Sequence, residues 1–174
     1  MPLIWERILK GQLARRRSET GRVPRIAVLG VGNPMSSDDA AGVLLARALS
    51  ERDCARNIDR TLILEAGQAP ENRTGELRRF GPDVVIIIDA ADMKEAPGTI
   101  RWIPEDSIDG MSASTHSLPL SLLARYLKLE LNCVITILGI QLISNELGER
   151  VSPEILQAVE EVVAVLDELI RRLD

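Results

Sequence analysis

The residues able to do chemistry in this sequence are few. In GVGNPMSSDDAAG (30–42), a glycine-rich segment runs into two adjacent aspartates, Asp38 and Asp39. A third acid, Asp89, ends the apolar run VVIII (84–88), and the chain's one histidine, His116, lies in STHS (114–117). An aspartate at a helix start usually caps the helix or offsets its dipole, and Asp38 is assigned that role. A helix seldom needs a second such acid, so Asp39 is open to another task. Asp89 needs a partner or a task, because a charge closing so apolar a run is costly to bury alone. Two carboxylates and one imidazole can hold a divalent metal and keep positions open.

Other chemistries fail on inventory. Gly30 and Gly32 begin a G-x-G-x-x-G pattern, but Met35 stands where the third glycine belongs. Glu65 lies farther on than the roughly 20 residues at which a dinucleotide fold places its ribose-binding acid. Asp38 and Asp39 would also repel a pyrophosphate at that helix start. There is no G-x-S-x-G elbow, no H-E-x-x-H and no pepsin-like D-T-G or D-S-G pair. Neither Cys54 nor Cys133 lies in a segment that suggests a nucleophile paired with His116.

Elements of both kinds must position these residues. The segments IAVLG (26–30), TLILEAG (61–67), VVIIIDA (84–90), GTIRWI (98–103) and VITILGIQ (134–141) read as strands. VVIIIDA is the most apolar, hence central, and GTIRWI alternates as an edge strand does. Helices are expected over 38–51, with Val43, Leu44, Ala48 and Leu49 on one face, and over 118–131, with Ser117 as cap and Pro119 in the first turn. Residues 70–80 read as a loop with a short helix. A last helix runs from Pro153 along the stripe Ile155, Leu156, Val159, Val162, Val163, Leu166, Leu169 and Ile170. Residues 3–17 suggest a further amphipathic helix, with Leu3, Ile4, Ile8 and Leu9 near helical spacing and Arg15, Arg16 and Arg17 at its end. It is set apart by Gly21 and Pro24 as an N-terminal helical extension (1–24) of a single domain (25–174).

The order predicts an α/β fold: a three-layer sandwich with a mostly parallel five-stranded sheet and helices on both faces. Function in such folds sits beyond the C-terminal strand ends, where strand order reverses. If the strands at 26–30 and 84–88 are neighbours, Asp39 and Asp89 meet there, and the loop of His116 opens on the same edge.

Composition narrows the partners. At 45% hydrophobic, the 174 residues suffice for one core. A net charge of −5 argues against nucleic acid, and an aromatic content of 2% leaves little to stack on bases. No membrane span or signal peptide is read, and two distant cysteines suit a reducing cytoplasm.

GVGNPMSSDDAAG, followed by APEN (69–72), IIIDAADM (86–93), APGTIRWI (96–103) and THSLPL (115–120), strongly resembles the NiFe-hydrogenase maturation endopeptidases. The resemblance runs from about Arg25 to the last helix and is closest to the branch serving formate-hydrogenlyase and other membrane-bound hydrogenases. It implies a peptidase of the aspartic class that cuts the C-terminal extension from a hydrogenase large-subunit precursor after nickel insertion. It also implies that nickel comes with the substrate rather than as an intrinsic cofactor, and that Asp39, Asp89 and His116 recognise it. Where relatives usually read D-G-G after the second strand, this chain has Glu65, Ala66 and Gly67. The alternative is a non-catalytic nickel-checking chaperone of the same precursor, and a small-molecule α/β enzyme is a further rival.

Overall fold

The structure, a computed structural model, describes residues 3–113 and 118–173. Five strands form one sheet in the order β2-β1-β3-β5-β4. They are β1 (Ile26–Val31), β2 (Thr61–Gly67), β3 (Val84–Ala91), β4 (Ile100–Ile103) and β5 (Val134–Gln141). All pairs are parallel except β4, which lies antiparallel on β5 at the edge. Every residue of β1 and β3 is buried, as strands covered on both faces must be.

The alternation of side chains along β3 divides the core in two. Val84, Ile86, Ile88 and Ala90 face α1 (Ile4–Thr20), α2 (Ala41–Ser50) and α5 (Pro153–Arg171). Val85, Ile87 and Ala91 face α3 (Thr74–Phe80) and α4 (Leu120–Leu131). This is the expected three-layer sandwich.

Several local expectations shift. In α1, tertiary packing selects Trp5, Leu9 and Leu13, one turn apart each, while Leu3 and Ile4 are exposed. The buried three join the same core cluster as Ile26 and Val28. At the exit of α1, the Arg22 guanidinium donates to both oxygens of buried Asp83, at 2.7 and 3.0 Å, and the Arg25 N–H adds 2.8 Å. This fork joins the end of the helix to the start of β3. Pro119 stands just before α4 rather than in its first turn, and Ser117 lies outside the described residues. In α5, Leu156 faces solvent although the rest of its stripe is buried.

The helix expected from residue 38 begins instead with a 3-10 turn over Ser37–Ala40, and α2 starts at Ala41. The reason is steric. A Cβ on Gly42 would fall 2.2 Å from the Val31 carbonyl oxygen and 2.4 Å from that of Ile88. One on Gly30 would fall 2.0 Å from the Gly42 oxygen. Backbone therefore lies on backbone where α2 begins, directly over the ends of β1 and β3. Gly42→Ala should lower stability by about 3 kcal/mol, since the added methyl meets backbone rather than a movable side chain. Urea denaturation checks this, and a loss below about 1 kcal/mol would show that the contact yields easily.

Candidate active site

β1 has β2 on one side and β3 on the other, so strand order reverses between β1 and β3. Gly30 pairs with Ile88, which brings the two strand ends level. Asp89 is the next residue of β3, and Asp39 follows β1 through the turn that Gly42 holds down. Both acids are buried, Asp89 completely. Adjacent strands lie about 4.8 Å apart, so Asp89 stands beside the end of β1, from which the chain leads into the turn bearing Asp39.

Short-range bonds fix each acid. The Asn33 N–H donates to Asp39 Oδ2 at 3.0 Å, and the Asp39 N–H donates to the Ser36 carbonyl at 2.9 Å. Asn33 also organises its own turn: its Oδ1 accepts the Met35 N–H at 3.0 Å, and its Nδ2 donates to Ser36 Oγ at 2.8 Å. Asp89 Oδ2 accepts the Ser112 hydroxyl at 2.5 Å. Ser112 is brought there by a one-residue antiparallel bridge to Ala91, which the Asp92 N–H extends by donating to the Met111 carbonyl at 2.7 Å.

His116 lies outside the described residues. Among the described residues no group of three histidine, cysteine or acidic side chains could hold a metal ion. What is described is a pair of carboxylates at a strand switch. Such a pair can hold a cation whose other ligands come from elsewhere, or activate a water.

Asp38 is structural, but not as a helix cap. No side-chain cap bond is made at this turn, and the Asp38 carboxylate faces away, into the loop after β5. It accepts from Ile143 N (2.8 Å), Ser144 N (3.1 Å), Ser152 N (2.7 Å) and Ser152 Oγ (3.0 Å). Its own N–H returns a bond to the Ser144 carbonyl at 3.1 Å. The residue thus ties residues 143–152 to the turn carrying Asp39.

Glu65, in the segment that departs from D-G-G, is exposed and paired with Arg47 of α2 at 2.9 Å. Gly67 takes φ of +61° and its carbonyl accepts the Gly32 N–H at 3.0 Å, so this segment buttresses the glycine-rich turn through its backbone. Asn33, not among the candidates singled out above, could have been found from its Asn-Pro turn. Ser112 carried no signal, because a one-residue bridge has no periodicity.

The two thiols are remote from any nucleophilic role. Burial pushes Cys54 up to about 12 and Cys133 to about 11, so neither is a thiolate near neutrality.

The family model for HycI, hydrogenase maturation protease, matches residues 43–171. The Hydrogenase 3 maturation protease of Escherichia coli is 40% identical over 115 residues, covering 66% of this chain and 70% of its own. The Hydrogenase 2 maturation protease of the same organism is 32% identical over 154 residues, covering 83% and 92%. The crystal structure of the HycI NiFe-hydrogenase maturation protease from Thermococcus kodakarensis superimposes with a TM-score of 0.77 at 31% identity, covering 91% of this chain and 99% of that one.

Two outcomes follow from these contacts. Asp38→Ala leaves four donors facing no acceptor and should cost about 3 kcal/mol or more in urea denaturation; a cost near that of an exposed cap would refute the clamp. Alkylation of the native protein with iodoacetamide should leave proteolytic activity unchanged, and inactivation proportional to Cys133 or Cys54 labelling would contradict the protonated, buried thiols.

Proposed function

This chain belongs to the HycI family of hydrogenase maturation proteases, and we propose on that premise that it removes the C-terminal extension from a NiFe-hydrogenase large-subunit precursor once nickel is in place. The observation that carries the reading is the pair of buried carboxylates at the strand switch, Asp89 near the end of β3 and Asp39 in the turn that follows the neighbouring β1. Carboxylates brought close together favour a cation between them. A precursor that brings nickel on its own thiolates would present such a cation to the pair when it docks. Nickel is then part of the substrate, and the protein keeps no metal of its own. His116 is assigned as the third residue toward it, since neutral imidazole is a good nickel ligand.

The chemistry is peptide hydrolysis. Water adds to the carbonyl carbon of the scissile bond, the carbon–nitrogen bond breaks, and the departing amine takes a proton. Within the pair, a carboxylate of the aspartic type accepts the proton of the attacking water, and the nearby cation offsets charge on the carbonyl oxygen. The reaction belongs in the cytoplasm, a setting that suits two cysteines held as buried free thiols. No helix among the described residues is long and apolar enough to cross a membrane.

Asp39→Asn and Asp89→Asn, which keep volume but remove charge, should each abolish processing while circular dichroism stays unchanged. His116→Ala should do the same at every pH tested. Wild-type enzyme treated with chelator and then freed of it should cut nickel-loaded precursor and leave nickel-free precursor whole, as read by the mass of the product. Efficient cutting of the nickel-free form, or activity restored only by adding zinc to the enzyme, would overturn the mechanism.

A further inference from the structure

Beside the carboxylate pair stand three large apolar side chains that the core does not use. Met35 is 66% exposed, Ile143 52% and Leu147 73%. They belong to two segments far apart in the chain, and a continuous set of bonds joins them. The Gly148 N–H donates to the Met35 carbonyl at 2.9 Å, which fastens the Leu147 backbone against the 33–36 turn. Ser37 Oγ donates to the Arg150 carbonyl at 3.0 Å. Ile143 hangs from Asp38 by its own N–H. On the far side, Asn145 Nδ2 donates to the Ala113 carbonyl at 3.4 Å, next to Ser112, the donor to Asp89. The loop 142–152 therefore spans the site from the Asp39 side to the Asp89 side.

Surface loops are usually polar and mobile. This one is held by a set of part-buried hydrogen bonds, most of them to the Asp38 carboxylate, yet presents leucine and isoleucine to water, at a cost in apolar exposure that folding does not require. Rigid presentation of apolar side chains is what a binding edge needs, because the ordering entropy is spent before the partner arrives. Glu146 and Glu149 outnumber Arg150 on the same loop, and the aspartates lie beneath, so the edge is net negative and the complementary segment is one without acidic residues.

We infer that Met35, Ile143 and Leu147 form a specificity rim that grips an apolar, non-acidic stretch of the precursor polypeptide beside the scissile bond, and that Asp38 is the positioning residue that holds the rim in register with Asp39. The inference rests on the proposed proteolytic function. Asp38 touches no reacting atom in this account. It acts through the loop, by holding Ile143 directly and both ends of the segment 143–152 that carries Leu147 against the turn that bears Asp39. Asn33 couples the rest, since it binds both Asp39 Oδ2 and the Met35 N–H.

The test uses the full chain and a nickel-loaded hydrogenase large-subunit precursor with its C-terminal extension. The double variant Ile143→Ser/Leu147→Ser alters only exposed side chains and should fold as wild type. Its KM should rise about tenfold or more with kcat nearly unchanged, because the lost contacts are made equally in ground and transition states. Leu129→Ser, an equally exposed leucine on α4, is the control and should change neither constant. Asp38→Asn should raise KM and also speed hydrogen exchange at the Ile143, Ser144 and Ser152 amides, which a residue serving stability alone at its own turn would not do. Wild-type kinetics in the double variant, with wild type cutting normally, would remove the rim and leave the proteolytic function standing. A fall in kcat with unchanged KM would also overturn it, by placing these side chains in the chemistry. If wild type itself neither binds nor cuts the precursor, the function fails and the rim fails with it.

Discussion

The arrangement of this molecule depends on a contact in which no side chain takes part. Where α2 begins, Gly42 lies so near the carbonyls of Val31 and Ile88 that a single methyl group has no room, and Gly30 meets Gly42 from below. Because backbone rests on backbone there, the turn before the helix is pressed onto the ends of β1 and β3. Asp39 lies in that turn, over the switch between β1 and the strand that carries Asp89. The same descent aims Asp38 in the opposite direction, toward the loop after β5. In a nucleotide-binding fold, this close approach would bring helix N–H groups to a phosphate. Here the residues that follow the glycines are acids, so the same backbone device delivers negative charge.

Four carboxylates are buried in the described structure, and their donors separate them. Asp83 receives an arginine fork and a backbone N–H at the far end of the sheet, which makes it a structural anchor for α1. Asp38 receives three backbone N–H groups and a hydroxyl, all from the loop it restrains. Asp39 accepts the Asn33 N–H and Asp89 accepts the Ser112 hydroxyl, at the switch point itself. The arginine fork on Asp83 stands at the opposite end of the sheet, where it holds the helix exit to β3.

Much of the fold is legible in composition and period. The β-branched runs locate all five strands to within a residue or two, and the placement of β1 and β3 side by side follows from starting the chain mid-sheet. Faces of helices are less legible. α1 offers Leu3, Ile4, Ile8 and Leu9 in sequence, but the sheet accepts Trp5, Leu9 and Leu13, because the one large aromatic fills the available depth best. The role of Asp38 was misassigned for a related reason. Capping is a local bond that sequence can suggest, whereas its actual partners lie more than a hundred residues away. Ser112 is hidden because the single bridge that places it has no periodicity to read, and His116 stands in the stretch outside the described residues.

The loop that closes the site shows how stability and recognition share one set of bonds. Were residues 142–152 held only by apolar packing, Ile143 and Leu147 would have to turn inward to provide it. The Asp38 carboxylate supplies the restraint through polar backbone contacts instead, and so releases those side chains to face outward. Restraint from a buried charge is directional, since each donor must point at an oxygen. A loop fixed in this way can keep an exposed apolar surface in one place without collapsing onto it. On the proposed reading, that lets an enzyme with a buried acid pair recognise a folded, metal-bearing protein: the rim reads the polypeptide, and the aspartates read the charge the polypeptide carries.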